Sequence, residues 1–316
     1  MLALLLGLLT TPALAQDRGA RGDDAAFASD SEEEYNPGAK DRLYYSNATF
    51  ARVNPLGLIN IFRVGWRRRL STKDSLLFKD TYTFAGVNVL TTPANTRVGL
   101  YGEAQILAVL RVFGEVNGVG YYGTFDQIMS WDDPNANFSD NTIADRGEQG
   151  LSSPTTGWVL NAGGTVRGAA GPVVFRSTAQ VTRYDLSLPD GDVVFYDQYW
   201  DRLAPDKGWM ILNDLDVLVL AGNARVGVRH TFTDQLGGDL GDAGGMAQHR
   251  VDPLLAYQFH DKGKGTRFNQ PTLFMLVQWW AKHPYRTGAE QPAGLPLIAL
   301  GFAFNGDLTG PIPSRP

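Results

Sequence analysis

The sequence contains no cysteine and few histidines, and it has no long apolar run after its first residues. Without cysteine, its 316 residues can form no disulfide, no thiolate metal site, no cysteine nucleophile and no acylated lipoprotein cysteine. Nothing beyond Gln16 approaches the run of about 20 apolar residues that a transmembrane helix needs. Rossmann, P-loop and zinc motifs are absent, so no cofactor is inferred. A net charge of -5 argues against a general nucleic-acid binder.

The N-terminus has the composition of a secretory signal. Leu2 to Leu9 is almost wholly apolar, and Ala13-Leu14-Ala15 ahead of Gln16 has the small-x-small form that signal peptidase cleaves. No Lys or Arg follows Met1 at once, which departs from the usual pattern. We predict a signal peptide over residues 1–15. Residues 16–42 are acidic and poor in apolar side chains, so we predict that they form a disordered periplasmic leader.

From residue 43 onward, apolar and polar residues alternate in segment after segment. Val173, Phe175, Ala179 and Val181, for example, oppose the polar residues between them. A period of two is typical of strands with one apolar and one polar face. We predict twelve strands: Leu43–Val53, Leu58–Leu70, Leu76–Thr91, Arg97–Leu110, Val112–Phe125, Gly157–Gly168, Val173–Leu186, Gly208–Leu220, Ala224–Phe232, Gln248–Phe259, Thr272–Lys282 and Leu297–Asn305.

The connections between these strands alternate between short and long. Bacterial outer-membrane barrels have short periplasmic turns and long extracellular loops, with an even strand count and both termini in the periplasm. The tight connections are Leu70–Ser75, Leu110–Val112, Ala169–Pro172 and Ala221–Asn223. The long connections are Asp126–Thr156, Ser187–Lys207, Thr233–Ala247 and His283–Leu295.

The sequence therefore predicts an all-β fold: a closed antiparallel up-and-down transmembrane β-barrel over residues 43–307, with a C-terminal tail over 308–316. Ten or fourteen strands remain possible. Leu43–Val53 is a weak strand because Ser46 and Asn47 lie at its centre. Val193–Trp200 could be an extra strand, which would make the count odd, so we interpret it as a hairpin or lid within a loop.

The strands of a soluble β-sandwich or lipocalin-like barrel would also alternate between apolar and polar residues. The predicted segments suit tilted spanning strands of about 9 to 11 residues better than globular strands of about 5 to 6. Aromatic residues near the segment ends resemble the girdles at the two membrane interfaces. They are Trp66, Tyr122, Trp158, Trp209, Tyr257, Phe259, Trp279, Phe302 and Phe304.

The chain resembles bacterial outer-membrane β-barrel proteins, and most of all the poorly characterised secreted barrels of myxobacteria and their relatives. Arg97 to Glu103, Gly120 to Phe125 and Lys207-Gly208-Trp209 carry the resemblance. It implies a location in the bacterial outer membrane rather than an activity. Such barrels often end on an aromatic residue that helps assembly, whereas here further residues follow Phe304. The resemblance implies three partners: outer-membrane lipid, lipopolysaccharide and the barrel insertion machinery.

Charged residues on the polar strand faces are the candidate functional residues, because Arg or Lys facing lipid at mid-bilayer costs about 2 to 4 kcal/mol. A lumen rich in arginine would favour anionic or zwitterionic solutes. The alternative is a salt-bridged polar filling that closes the barrel. The predicted lumen-facing residues are Arg63, Arg67, Arg69, Arg97, Glu103, Glu115, Arg167, Arg176, Asp214, Asp216, Arg225, Arg229, Arg250 and Asp252.

The predicted outer loops are acidic and could bind divalent cations, although solvated loop charge is the simpler explanation. Gly237 to Gly245 faintly resembles one copy of a glycine-aspartate calcium repeat. The acids are Asp126, Asp132, Asp133, Asp140, Asp145, Glu148, Asp239 and Asp242.

The sequence leaves three functions open. The first is a passive or weakly selective pore for small solutes, anionic ones among them. The second is an outer-membrane hydrolase with a site at the rim, which needs a nucleophile, a base and an orienting group. Its candidate bases are His230, His249, His260 and His283, near Asp234 and Asp252, but no Gly-x-Ser-x-Gly or His-Glu-x-x-His motif is present. The third is a structural or adhesive barrel that displays its long loops.

Overall fold

The computed structural model describes residues 41–71, 77–78, 81–125, 127–236, 247–262 and 266–309. The predicted signal peptide lies outside these residues, as do most of the leader, the end of the C-terminal tail, Asp126 and the Gly237 to Gly245 segment. Among the described residues, no helix is long and apolar enough to cross a membrane.

Twelve strands form a closed antiparallel barrel, as the alternation predicts. β1 pairs with the last strand over residues 44–53 and 298–307, which closes the barrel. The barrel strands are β1 Asp41–Val53, β2 Gly57–Arg69, β3 Tyr82–Thr91, β4 Asn95–Leu107, β5 Leu110–Tyr121, β7 Thr155–Ala170, β8 Val173–Leu186, β11 Trp209–Ala221, β12 Ala224–Leu236, β13 Gln248–Gln258, β14 Asn269–Lys282 and β15 Leu297–Asp307.

Three short strands and one helix lie in the long connections. They are β6 Ser130–Trp131, α1 Asp140–Glu148, β9 Val194–Asp197 and β10 Arg202–Pro205. β9 pairs with β10 and with β6 in a separate sheet, so Val193–Trp200 is a loop hairpin and the barrel count stays even. Ser139 caps α1 by accepting a hydrogen bond from the Thr142 amide.

Some predicted strand ends differ from the structure. β3 starts at Tyr82 rather than at Leu76, because Leu77 and Phe78 belong to a turn whose Leu77 carbonyl accepts the Ala108 amide. In the sequence, these two apolar residues extend the apolar and polar alternation beyond the strand itself. The turn predicted at Leu110–Val112 lies before Leu110, and this places Arg111 inside β5.

The tight turns at one end have the expected glycine geometry. Gly171 and Gly222 have φ angles of 60° and 58°. A side chain at these positions would be strained, whereas glycine adopts this conformation freely. The long connections that carry β6, α1, β9 and β10 lie at the opposite end. One mouth of the barrel therefore has these glycine turns, and the other has long loops with secondary structure of their own.

The outer surface of the barrel is a continuous apolar belt. Alternate strand residues expose large apolar side chains, with Leu100 at 65% and Leu300 at 52% exposed. Trp66 and Trp158 lie near strand ends, at 59% and 62% exposed. Water-soluble proteins do not expose an apolar surface of this extent, whereas spanning barrels do. The protein is a barrel of the outer-membrane type.

The inner surface has one apolar side and one polar side. Small and apolar side chains of β1, β2 and β13 to β15 line the apolar side, where the rings of Phe50 and Phe274 lie 6.3 Å apart. The charged side chains project mainly from β2 to β5, β7, β8 and β11 to β13. The polar side therefore carries the candidate functional residues.

Candidate functional site

The predicted lumen residues lie on the same strand faces as the buried side chains, and none of them is exposed. They form separate clusters, which differ in depth and in partners. Arg69 and Arg167 each donate to a backbone carbonyl, of Ser71 and Ala108, near the short-turn end. Arg225 donates to Gln258 at the same end.

The first cluster is a buried ion-pair chain across β8, β11 and β12. Asp216 accepts a hydrogen bond from Nε of Arg176 at 2.8 Å and another from Nε of Arg229 at 2.6 Å. Arg229 also pairs with Asp214 through Nη1, at 3.5 Å. Asp214, Asp216 and Arg229 are fully buried. The strand register places Asp216 opposite both arginines, so the sheet itself builds this cluster.

The second cluster joins β2, β3, β5 and β7. Nε of Arg63 donates to Asn88 at 3.1 Å, and Asn88 donates to Glu115 at 3.1 Å. Asn161 donates to the other oxygen of Glu115 at 2.6 Å. The Arg63 guanidinium lies 3.8 Å from the centroid of the Tyr101 ring. Every charged group of this cluster therefore has a partner.

The third cluster lies nearer the short-turn end. Glu103 accepts hydrogen bonds from the hydroxyls of Tyr82 and Tyr101, at 2.8 and 2.6 Å. Arg111 pairs with Glu103 at 3.5 Å, and Arg67 stacks on Tyr82 at 3.6 Å. Sequence reasoning missed Arg111 because it assigned this residue to a turn. The alternation of Arg111 with Phe113 and Glu115 was the signal that could have revealed it.

The mouth at the long-loop end is covered by residues 127–154 and 187–208, which we call the lid. Ile128, Phe195 and Trp200 of the lid share one hydrophobic core with the barrel wall. Arg52, at the end of β1, donates to the carbonyls of Gln198 and Tyr199, at 2.7 and 3.4 Å. Burial of apolar lid residues and these arginine contacts hold the lid against the wall.

Asp201 of the lid is the centre of a polar cluster, which we call the latch and define as Asp201, Arg286, His283, Asp140 and Tyr196. Arg286 donates to Asp201 at 3.1 Å and to Asp140 at 2.9 Å. His283 Nε2 donates to the Asp201 carbonyl at 2.9 Å, and Tyr196 donates to its carboxylate at 2.6 Å. The latch joins both segments of the lid, including α1, to the connection before β15.

The latch favours an ionised Asp201 and a neutral His283. Burial opposes ionisation of Asp201, but the hydrogen bonds and charge of Arg286 outweigh it and hold the pKa of Asp201 below its usual value. Burial lowers the pKa of His283, and Arg286 adds to this, although Asp201 opposes it. Nδ1 of His283 accepts the amides of Tyr285 and Arg286, at 3.0 and 3.2 Å. A proton on Nδ1 would break both bonds.

Beneath the lid lies a cavity of about 40 Å³. This volume holds no more than a few water molecules. A larger solute does not fit this cavity. The cavity contacts include Arg63, Arg97, Glu115, Asn161, Tyr199 and Trp200.

The loop acids do not assemble a cation site in the described part of the chain. No three His, Asp or Glu residues there are grouped so that they could hold a metal ion. Asp140 belongs to the latch, and Asp133 accepts the Asn135 amide. Asp126, Asp239 and Asp242 lie outside the described residues, as does the glycine-aspartate segment.

The candidate catalytic histidines are not paired with a nucleophile. His230 and His249 contact each other at 3.1 Å, and Phe232 packs against His249. His283 serves the latch, and His260 packs against Phe268. In the described ranges, no histidine is hydrogen-bonded to a serine hydroxyl. The hydrolase interpretation therefore gains no support from the geometry.

No protein-family model and no curated protein matches this sequence. Among solved structures, the β domain of the Bordetella autotransporter BrkA is 12% identical, with a TM-score of 0.43, over 85% of this chain and 100% of that one. The NanC porin is 10% identical, with a TM-score of 0.37, over 84% and 100%. The Pseudomonas putida toluene transporter TodX is 9% identical, with a TM-score of 0.31, over 84% and 88%. Similarity this low carries no argument about function.

Proposed function

We propose that the protein is a narrow pore of the bacterial outer membrane that admits small anionic solutes, and that the lid closes it at the long-loop mouth. The observation that carries this proposal is the arrangement of the lid. It forms a three-stranded sheet outside the barrel ladder, and it is joined to the wall by side chains and by a backbone bridge between Asp206 and Tyr184 of β8. Such a segment can move without breaking the hydrogen bonds that close the barrel.

The charge of the inner surface supports the anionic preference. Arginines outnumber carboxylates on the inward faces of the strands, and Arg52 and Arg111 add to the predicted set. Arg97 lies at the cavity, where it donates to the Tyr121 hydroxyl at 3.3 Å and lies 5.1 Å from the Tyr199 ring. A cationic lining lowers the barrier to anions and raises it for cations. Arg97 is therefore one of the charges that a solute would meet below the lid.

Planar-bilayer recordings of the full chain under a salt gradient test this function. We expect a reversal potential that shows anion preference, and we expect Arg97→Glu to shift it toward cations. Arg68→Glu is the matched control, because Arg68 is largely exposed, on an outward strand position, and pairs only with Asp41 among the described residues. A barrel that stays ion-tight under all voltages would exclude the pore and favour the salt-bridged filling.

The proposal also orients the barrel and names its surroundings. The long loops and the lid face the cell exterior, and both chain ends face the periplasm. The apolar belt contacts outer-membrane lipid, the outer loops contact lipopolysaccharide, and the insertion machinery assembles the barrel. Kinship with the secreted barrels of myxobacteria stays a prediction.

A further inference from the structure

We propose that Arg202 of the lid and Arg250 of the wall form a binding site for a small oxyanion, a carboxylate or a phosphate, between the lid and strand β13. This inference rests on the proposed function only for the route by which the anion arrives. Binding itself is measured without conduction, so the two ideas can fail separately.

Both guanidinium groups are buried and have donors that no described residue accepts. Arg202 is fully buried, and Arg250 is 1% exposed. Nη1 and Nη2 of both side chains have no hydrogen-bond partner among the described residues. Buried charged groups are costly unless they are paired and hydrogen-bonded. Four terminal nitrogen atoms on two buried side chains thus lack an acceptor in the described part of the chain. This indicates that a group outside the polypeptide accepts their hydrogen bonds.

Contacts on both sides of Arg202 place it against strands β12 and β13. Gln248 lies two residues before Arg250 on the same strand face and donates to the Asp201 carbonyl at 2.9 Å. Gln235 donates to the Leu203 carbonyl at 3.4 Å. These contacts hold both neighbours of Arg202 against β12 and β13. The charge of Arg250 acts on Arg202, on Arg52 and on His283. Arg250 therefore lies among the cationic groups of the mouth.

The nearby acids do not fill the donors of these arginines. Asp234 is 3.9 Å from Nη2 of Arg202, which is too long for a hydrogen bond, and is partly exposed. Asp197 accepts from the Tyr184 hydroxyl and the Tyr199 amide. Asp252 accepts a hydrogen bond from Gln278 at 2.6 Å through Oδ2. Burial lowers the pKa of Arg202 to about 10, with Arg250 adding to this and Asp234 and Asp197 opposing it.

The chemistry of the ligand follows from the donors. A guanidinium presents its N–H groups as a planar fork that matches the oxygens of a carboxylate or phosphate. Water can accept from these groups but brings no charge to offset two buried cations. Because the pair lies inside the mouth rather than on the lipid-facing surface, a free solute fits the site better than a lipid headgroup.

Isothermal titration of the folded, detergent-solubilised full chain with inorganic phosphate and with acetate, at constant ionic strength in chloride, tests the site. We expect saturable binding of at least one probe. Arg250→Gln and Arg202→Gln should each weaken it about tenfold or more, and the double variant should lose little beyond either single one, because both residues serve one ligand. Arg68→Gln should bind as the native chain does.

Thermal unfolding in the same probes gives a second readout that does not depend on heats of binding. A ligand that binds only the folded state raises the midpoint as its concentration rises. We expect this rise in the native chain and its loss in Arg250→Gln, and Arg250→Lys serves if the glutamine variant does not fold. Absence of saturable binding to the native chain, or binding that survives both arginine substitutions, would overturn the proposal and assign water to these donors. Anion-selective conductance without binding would retain the pore and remove the site.

Discussion

Arg229 and Arg250 lie on neighbouring strands, and both are buried, but their surroundings differ. Arg229 contacts Asp216 at 2.6 Å and Asp214 at 3.5 Å, and both acids are on the strand that pairs with its own. The terminal nitrogens of Arg250 donate no hydrogen bond to any group among the described residues. The sheet register supplies the partners of Arg229, whereas the charge of Arg250 acts on Asp252 of its own strand and on Arg202 of the lid. The surroundings of Arg229 are therefore fixed by strand pairing, and those of Arg250 include the lid.

The largest effect is expected in the wall. Asp216→Asn removes the charge that Arg176 and Arg229 share, and breaking a buried pair from one side costs about 3 to 5 kcal/mol. We expect the free energy of unfolding in urea to fall by this amount. Asp41→Asn is the matched control, because its pair with Arg68 is about half exposed, and such pairs contribute about 0 to 1 kcal/mol. Equal losses in the two variants would refute the claim that the wall cluster fixes the fold.

A second, smaller effect is expected at the latch. Arg286→Gln removes the charged bonds to Asp201 and Asp140, which we expect to cost about 1 to 3 kcal/mol. Because the latch joins loops, the loss should appear as local opening of the lid rather than as unfolding of the barrel. Limited proteolysis should cut the lid faster while the barrel core stays protected. A lid as resistant as in the native chain would show that the apolar core alone holds it.

The smallest effect is expected from pH. Folding lowers the pKa of His283, so its contribution to lid stability is complete above the ordinary histidine pKa of about 6.5 and is lost as pH falls below it. The lowered pKa of Asp201 adds a second loss below about pH 4. We expect proteolysis of the lid to accelerate as pH falls from 7 to 5. His283→Gln should remove this first step and leave the second, and a flat profile in the native chain would contradict the role of His283.

The sequence predicts the wall well because strand pairing is periodic. Val173–Leu186 has the predicted bounds of β8, since most of its residues alternate between apolar and polar and a glycine turn precedes it. Arg111 was missed because the turn was predicted at Leu110–Val112, so the residue was not assigned to the inward face of a strand. Arg202 and Arg286 could not be found, because loops have no period. Arg286 and Asp201 are 85 residues apart, and only the folded chain brings them together.

We propose that movement of the lid opens the pore. The chain has no native cysteine, so Asn95→Cys with Gln127→Cys gives a specific crosslinking pair, one residue in the wall and one in the lid, whose native side chains lie 3.5 Å apart. A short, reducible bis-thiosulfonate crosslinker can join them during single-channel recording.

We expect crosslinking of this double variant to abolish channel openings and reduction to restore them, while each single-cysteine variant is unaffected by the reagent. Openings of unchanged size and frequency in a fully crosslinked protein would contradict it.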